Sequence, residues 1–221
     1  MSRFKTSNDV PAKASCMNRV NHLYVLAAPS GAGKTTLVKA LVARNPGYRF
    51  SISYTTRPIR STEVDGVDYF FVSQPEFNRL RDSGELLESA IVFGKQYGTS
   101  RSQVERHLAD GHDVILEIDW QGARQVRTSM PESISVFILP PSREELERRL
   151  RGRGTDSDEE VNRRLSEALS DMGHWDEFDY CIVNDHVDDA VDQLEAIFAG
   201  EGHDNGRENP NLRRRIENIL V

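Results

Sequence analysis

The 221-residue sequence predicts an α/β fold, a parallel sheet with helices on both faces. Two observations predict it. Short apolar runs alternate with amphipathic helical stretches along most of the chain. Only residues 50–99 break that rhythm, with a block rich in Thr, Tyr, Phe and Val that reads as an inserted, mostly β lobe.

Leu23 to Ala27 reads as a short buried strand, and "KTTLVKALVARNPG" follows as a helix. Leu37, Val38, Leu41 and Val42 share one face of it, and Asn45-Pro46-Gly47 ends it. In the inserted block, turn signals stand at Asp65-Gly66, Ser83-Gly84 and Gly94, and Ser73 with Glu76 forms a capping box for one short helix. A helix from about Ser100 leads through "LADGH" into the strand "DVILEID" (113–119), and "ISVFILP" (134–140) is the next strand. Ser142 and Glu145 cap the helix "SREELERRL". In "DEEVNRRLSEALSDM", Val161, Leu165, Ala168, Leu169 and Met172 form one stripe. "YCIVN" (180–184) is a last strand and "DDAVDQLEAIF" (188–198) a closing helix. The expected organisation is a flexible tail over 1–20, one domain over 21–200, and a loosely ordered tail over 201–221. Within the domain, the core takes 21–49, 100–142 and 159–200, the lobe 50–99, and a hinged segment 143–158.

Composition excludes several classes. No apolar run approaches the roughly 20 residues of a membrane span, and the polar N-terminus lacks the apolar centre of a secretory signal. Cys16 and Cys181 make no disulfide framework, so a reducing cytoplasm is the expected compartment. The six histidines show no metal-ligand spacing. A net charge of −7 argues against a general nucleic-acid binder, so any polyanion site must be a local concentration of arginine.

The segment "APSGAGKT" has the spacing of a phosphate-binding P-loop, with Ala28 where the strict pattern has Gly. Pro29, Ser30, Gly31, Ala32 and Gly33 turn backbone N–H groups inward around phosphate oxygens, at the positive end of the following helix. Lys34 reaches the β- and γ-phosphates of a nucleoside triphosphate, and the Thr35 hydroxyl ligates Mg2+. The motif grips the donor without naming the acceptor.

"SYTTRPIRSTEVDGVDYFFVS", "GKQYGTS", "LEIDWQGA" and "RGRGTDSDEEVNRRL", in this order behind the P-loop, resemble guanylate kinase over roughly residues 21–200. The resemblance implies a P-loop NTPase core, an inserted GMP-binding lobe and a mobile lid. It implies transfer of the γ-phosphate of ATP to GMP and dGMP, in purine nucleotide metabolism. The residues suit that chemistry. Arg57 and Arg60 offer planar forks for a phosphate dianion, and Tyr69 and Tyr97 add hydroxyl donors. Glu88 matches the family's guanine-reading carboxylate: guanine N1–H and the 2-amino group are adjacent donors, whereas adenine N1 is an acceptor. Ser53 and Thr99 match hydroxyl positions at the base.

Glu117 and Asp119, two apart on one strand, are expected on one side of the sheet, at the strand's far end. The resemblance implies that these acidic positions serve the acceptor nucleotide and the metal, Asp119 contacting GMP and Glu117 acting on Mg2+ through water. Arg149, Arg153 and Arg164 match the lid arginines that converge on the transferring group, while Arg143, Arg148, Arg151 and Arg163 are expected solvated or paired with glutamate. Asn184 resembles a position near the adenine of ATP.

Two other readings stay open at this stage. One is a guanylate-kinase-like peptide-binding module without catalysis, against which Lys34, Thr35, Arg57 and Arg60 weigh. The other is a sugar-phosphate kinase on the same core, which needs no guanine-reading lobe. The family resemblance and the "LRRRIENIL" tail leave self-association open, or the tail frays.

Overall fold

The computed structural model describes residues 21–92, 94–152 and 157–221. The expected N-terminal tail and Arg153 lie outside the described residues.

The central sheet holds five parallel strands: β1 (Leu23–Ala27), β2 (Arg49–Phe50), β7 (Val114–Glu117), β8 (Ile134–Leu139) and β9 (Tyr180–Val183), in the order β2-β7-β1-β8-β9. These strands read as unbroken apolar runs because both faces are covered. Leu23, Val25 and Ala27 of β1 point into one core layer, with Leu116, Phe137 and Val183. Tyr24 and Leu26 point into the other, where α1 (Lys34–Arg44) supplies Leu37, Val38 and Leu41, and α7 (Val187–Phe198) supplies Val191, Leu194 and Phe198. The Tyr24 ring stacks on Phe198 at 3.5 Å between centroids and its hydroxyl donates to the Phe198 carbonyl at 3.0 Å, which fixes the end of α7.

The second sheet has four strands, β3 (Ser53–Thr55), β4 (Phe70–Phe71), β5 (Leu86–Val92) and β6 (Lys95–Ser100), in the order β4-β3-β6-β5. β5 and β6 form an antiparallel hairpin that sets Glu88 opposite Thr99. α2 (Gln74–Asp82) closes this sheet with Phe77 and Leu80, and Ser73 caps it on the Glu76 N–H. Phe50, expected in the lobe, pairs instead with Ile115 as the edge of the central sheet.

α3 (Arg101–Ala109) starts from the Ser100 cap. α4 (Trp120–Ser129) is a helix beyond those expected. Asp119 caps it, its Oδ1 accepting from the Gly122 N–H at 2.9 Å. This corrects the placing of Asp119 on a strand: β7 ends at Glu117, and Asp119 turns the chain into α4.

α5 (Arg143–Arg151) carries the cap expected at Ser142, and α6 (Asp158–Met172) starts from a Ser157 cap beyond those expected. Leu146 and Leu150 of α5 are fully buried in the core, so this part of the expected lid is anchored by packing; residues 153–156 lie outside the described residues.

The C-terminal segment, expected to be loose, forms α8 (Pro210–Leu220). Asn209 caps it, and Ile216 and Ile219 join the same core layer as Leu146 and Leu150. The apolar positions of "LRRRIENIL" are thus covered by the chain's own core, which is the physical reason the tail does not fray. No helix among the described residues is long and apolar enough to cross a membrane.

Candidate active site

The C-terminal ends of β1 and β7 open into a cleft of about 680 Å3, which the four-stranded sheet closes on its far side. Gly31 and Gly33 make the P-loop with φ of 93° and 94°, a left-handed conformation that side chains rarely adopt. They also make room: a Cβ on Gly33 would lie 2.5 Å from Asn184 Nδ2. Ala28, Pro29, Ser30, Gly31, Gly33, Lys34 and Thr35 all line the cleft. Ala32 does not; its carbonyl faces away and accepts from Asn184 Nδ2 at 2.8 Å and from Arg149 Nη1 at 3.3 Å.

Lys34 Nζ donates to the Ile118 carbonyl at 2.6 Å. Burial lowers its pKa, while Glu117, Asp119, Glu88 and Asp171 pull it back up. A polyanion entering the P-loop adds to that upward pull and keeps the ammonium charged. The Thr35 hydroxyl donates to Glu117 Oε1. Among the described residues no group of three His, Cys, Asp or Glu could hold a metal. A hydroxyl and a carboxylate together suit magnesium, which takes few protein ligands and keeps its water and phosphate oxygens.

Across the cleft stand Ser53, Arg57, Arg60, Tyr69, Glu88 and Tyr97. The Arg57 fork is held two-pronged by Glu63, and its Cζ lies 5.2 Å from the Tyr69 ring centroid. The Arg60 backbone N–H also donates to Glu63, at 2.8 Å, and the Arg60 side chain is 68% exposed with its Nη1 4.0 Å from Glu63 Oε1. Burial pushes the Tyr69 phenol up, so it stays a hydrogen-bond donor. Glu88 is only 4% exposed, and burial pushes it up to about 7, against the Thr99 hydroxyl that donates to Oε1 at 2.7 Å. Thr99 itself is fully buried and orients Glu88 rather than lining the cleft.

Asp119 lines the cleft with Oδ2 accepting from Gln121 Nε2 at 3.0 Å. Arg164 lines it too, held by Glu160 at 3.0 Å, and so does Arg163, which pairs with Glu160 and Glu167. Arg149 sits apart from them: it bridges Glu145, the Ala32 carbonyl and the Asn184 carbonyl, bracing the P-loop from behind. The Oδ1 of the buried Asn184 has no hydrogen-bond partner among the described residues.

The family model described as guanylate kinase matches residues 20–201. The chain belongs to the guanylate kinase family. It is 54% identical over 198 residues to the guanylate kinase of Alkalilimnicola ehrlichii, covering 90% of this chain and 98% of that one. It is 56% identical over 176 residues to that of Pseudomonas fluorescens, covering 80% and 85%. The crystal structure of guanylate kinase from Anaplasma phagocytophilum superposes with a TM-score of 0.69 at 35% identity, over 83% of this chain and 87% of that one. The P-loop fold and the inserted sheet therefore place it with the guanylate kinases.

Several cleft residues escape a motif reading. Glu63 sits in a polar turn and shows its role only through Arg57. Asp171 accepts from Trp120 Nε1 at 3.0 Å and lines the cleft from α6. Gly122, beneath Glu88 rather than in the cleft lining, gave no signal because the helix that holds it was not expected.

Proposed function

We propose that this protein transfers the γ-phosphate of ATP to GMP and dGMP, giving ADP and the guanosine diphosphates. The observation that carries this reading is that one cleft is lined both by the P-loop, with Lys34 and Thr35, and by Arg57, Tyr69, Tyr97 and Glu88. Donor and acceptor then meet within one cleft.

GMP lies on the lobe side. Arg57, Arg60, Tyr69 and Tyr97 take its phosphate, and Glu88, ionised on binding, accepts from guanine N1–H and the 2-amino group. Ser53 and Asp119 stand at the same wall. ATP lies on the P-loop from Ala28 to Thr35, with its adenine toward Asn184. An oxygen of the GMP phosphate attacks Pγ in line, and the bond from Pγ to the β,γ-bridging oxygen breaks. That nucleophile is already largely ionised at neutral pH, its second pKa being about 6, so no general base is required. Lys34, Arg57 and Arg164 neutralise the charge that spreads over the transferring group.

Thr35, and Glu117 through water, would hold Mg2+, which would supply charge neutralisation for the transferring phosphate. Arg149 contributes by stiffening the P-loop; Arg153 lies outside the described residues. The expected compartment is the cytoplasm, where both nucleotides are available.

Incubation with ATP, Mg2+ and GMP, with products separated by anion exchange, tests the reading. It predicts ADP and GDP in equal amounts; ADP without GDP would reduce the protein to an ATPase.

A further inference from the structure

We infer that Gln125 is a positioning residue for Glu88, through a clamp that α4 makes on the backbone of β5. This rests on the reading of Glu88 as the guanine-binding carboxylate.

Gln125 is an exposed helix residue, yet its amide is fully committed. Its Oε1 accepts from the Ser89 N–H at 3.0 Å, and its Nε2 donates to the Ser89 carbonyl at 2.7 Å. One side chain thus satisfies both backbone groups of the residue next to Glu88, as a neighbouring strand would. β5 already pairs with β6 on its other edge, so Gln125 pins the free edge. One helical turn earlier, Gly122 leaves the gap that the carboxylate fills: a Cβ there would lie 2.5 Å from Glu88 Oε2 and 3.0 Å from Cδ. Thr99 holds Oε1 from β6. Glu88 is therefore fixed from three sides: the Gly122 gap limits Oε2, Thr99 holds Oε1, and Gln125 holds the main chain. A fixed carboxylate discriminates between bases better than a mobile one, because a mismatched base cannot be met by rearrangement.

The test is a double-mutant cycle of Gln125→Ala and Glu88→Gln, with GMP affinity measured by calorimetry and kcat and the ATP KM by steady-state assay. Gln125 is exposed, so its alanine variant folds, and circular dichroism checks this. The expected result is about tenfold weaker GMP binding in Gln125→Ala, as for the loss of about two modest hydrogen bonds, with kcat and the ATP KM within about twofold. In the Glu88→Gln background the same substitution is expected to add less than about twofold, because the residue acts through Glu88. Losses that multiply in the double variant, or a Gln125→Ala protein that binds GMP like the wild type, would overturn the inference while leaving the Glu88 reading intact. Normal GMP binding by Glu88→Gln alone would overturn both.

Discussion

Glu63 holds both arms of the Arg57 fork, with Nη2 at 2.8 Å from Oε1 and Nη1 at 2.9 Å from Oε2, each side chain 13% exposed. The guanidinium is thereby fixed in plane over Tyr69 before any phosphate arrives. A lysine ammonium has no fork to be held this way. Arg57→Lys should lower kcat/KM for GMP by at least about tenfold and leave the ATP KM within about twofold. Steady-state kinetics with each substrate varied in turn checks this.

Glu88 ties stability to pH. Burial pushes its carboxyl up to about 7 from the ordinary 4.5, so the folded chain retains a proton that the unfolded chain releases in that window. Stability from this group is therefore full below about 4.5 and declines as pH rises to about 7, by about 3 kcal/mol at 1.36 kcal/mol per unit. Glu88→Gln should remove that slope and unfold at higher urea than the wild type at pH 8. Denaturation at pH 5 and pH 8 reads both effects.

Among the described residues Lys34 Nζ donates to the Ile118 carbonyl, and the side chain lines the phosphate side of the cleft. Lys34→Met should lower kcat by about 10²- to 10³-fold, the scale of losing one positioned electrostatic donor. GMP binding, on the other wall, should stay within about threefold in calorimetry.

Ile216 of α8 is fully buried against the core. Ile216→Ala should destabilise the fold by about 2–4 kcal/mol in urea unfolding, with activity retained under native conditions. A frayed tail would give a change within about 0.5 kcal/mol.

The alternation of Leu23–Ala27, "DVILEID", "ISVFILP" and "YCIVN" with helical stripes carried the central sheet, because strands covered on both faces must be apolar throughout. The P-loop was legible for a different reason: its glycines and Lys34 are constrained by local geometry within eight residues. What escaped depends on contacts across the chain. α4 is short, polar on its outer face and interrupted by Gly122, and that glycine makes sense only once Glu88 stands 34 positions away in sequence and in contact in space. α8 looked loose because its few apolar residues have a partner only in the finished core. The placing of Arg149 behind the P-loop likewise follows from α5 being anchored by Leu146 and Leu150.

The most direct test of guanine reading in a phosphoryl-transfer cleft is kcat/KM for GMP, dGMP, AMP, CMP and UMP with ATP and Mg2+, for the wild type and Glu88→Gln. Turnover confined to GMP and dGMP is predicted, with AMP slower by about 10⁴-fold and the variant impaired on guanine substrates by at least about 10²-fold. AMP turnover within about tenfold of GMP, or a Glu88→Gln variant as active on GMP as the wild type, would contradict it.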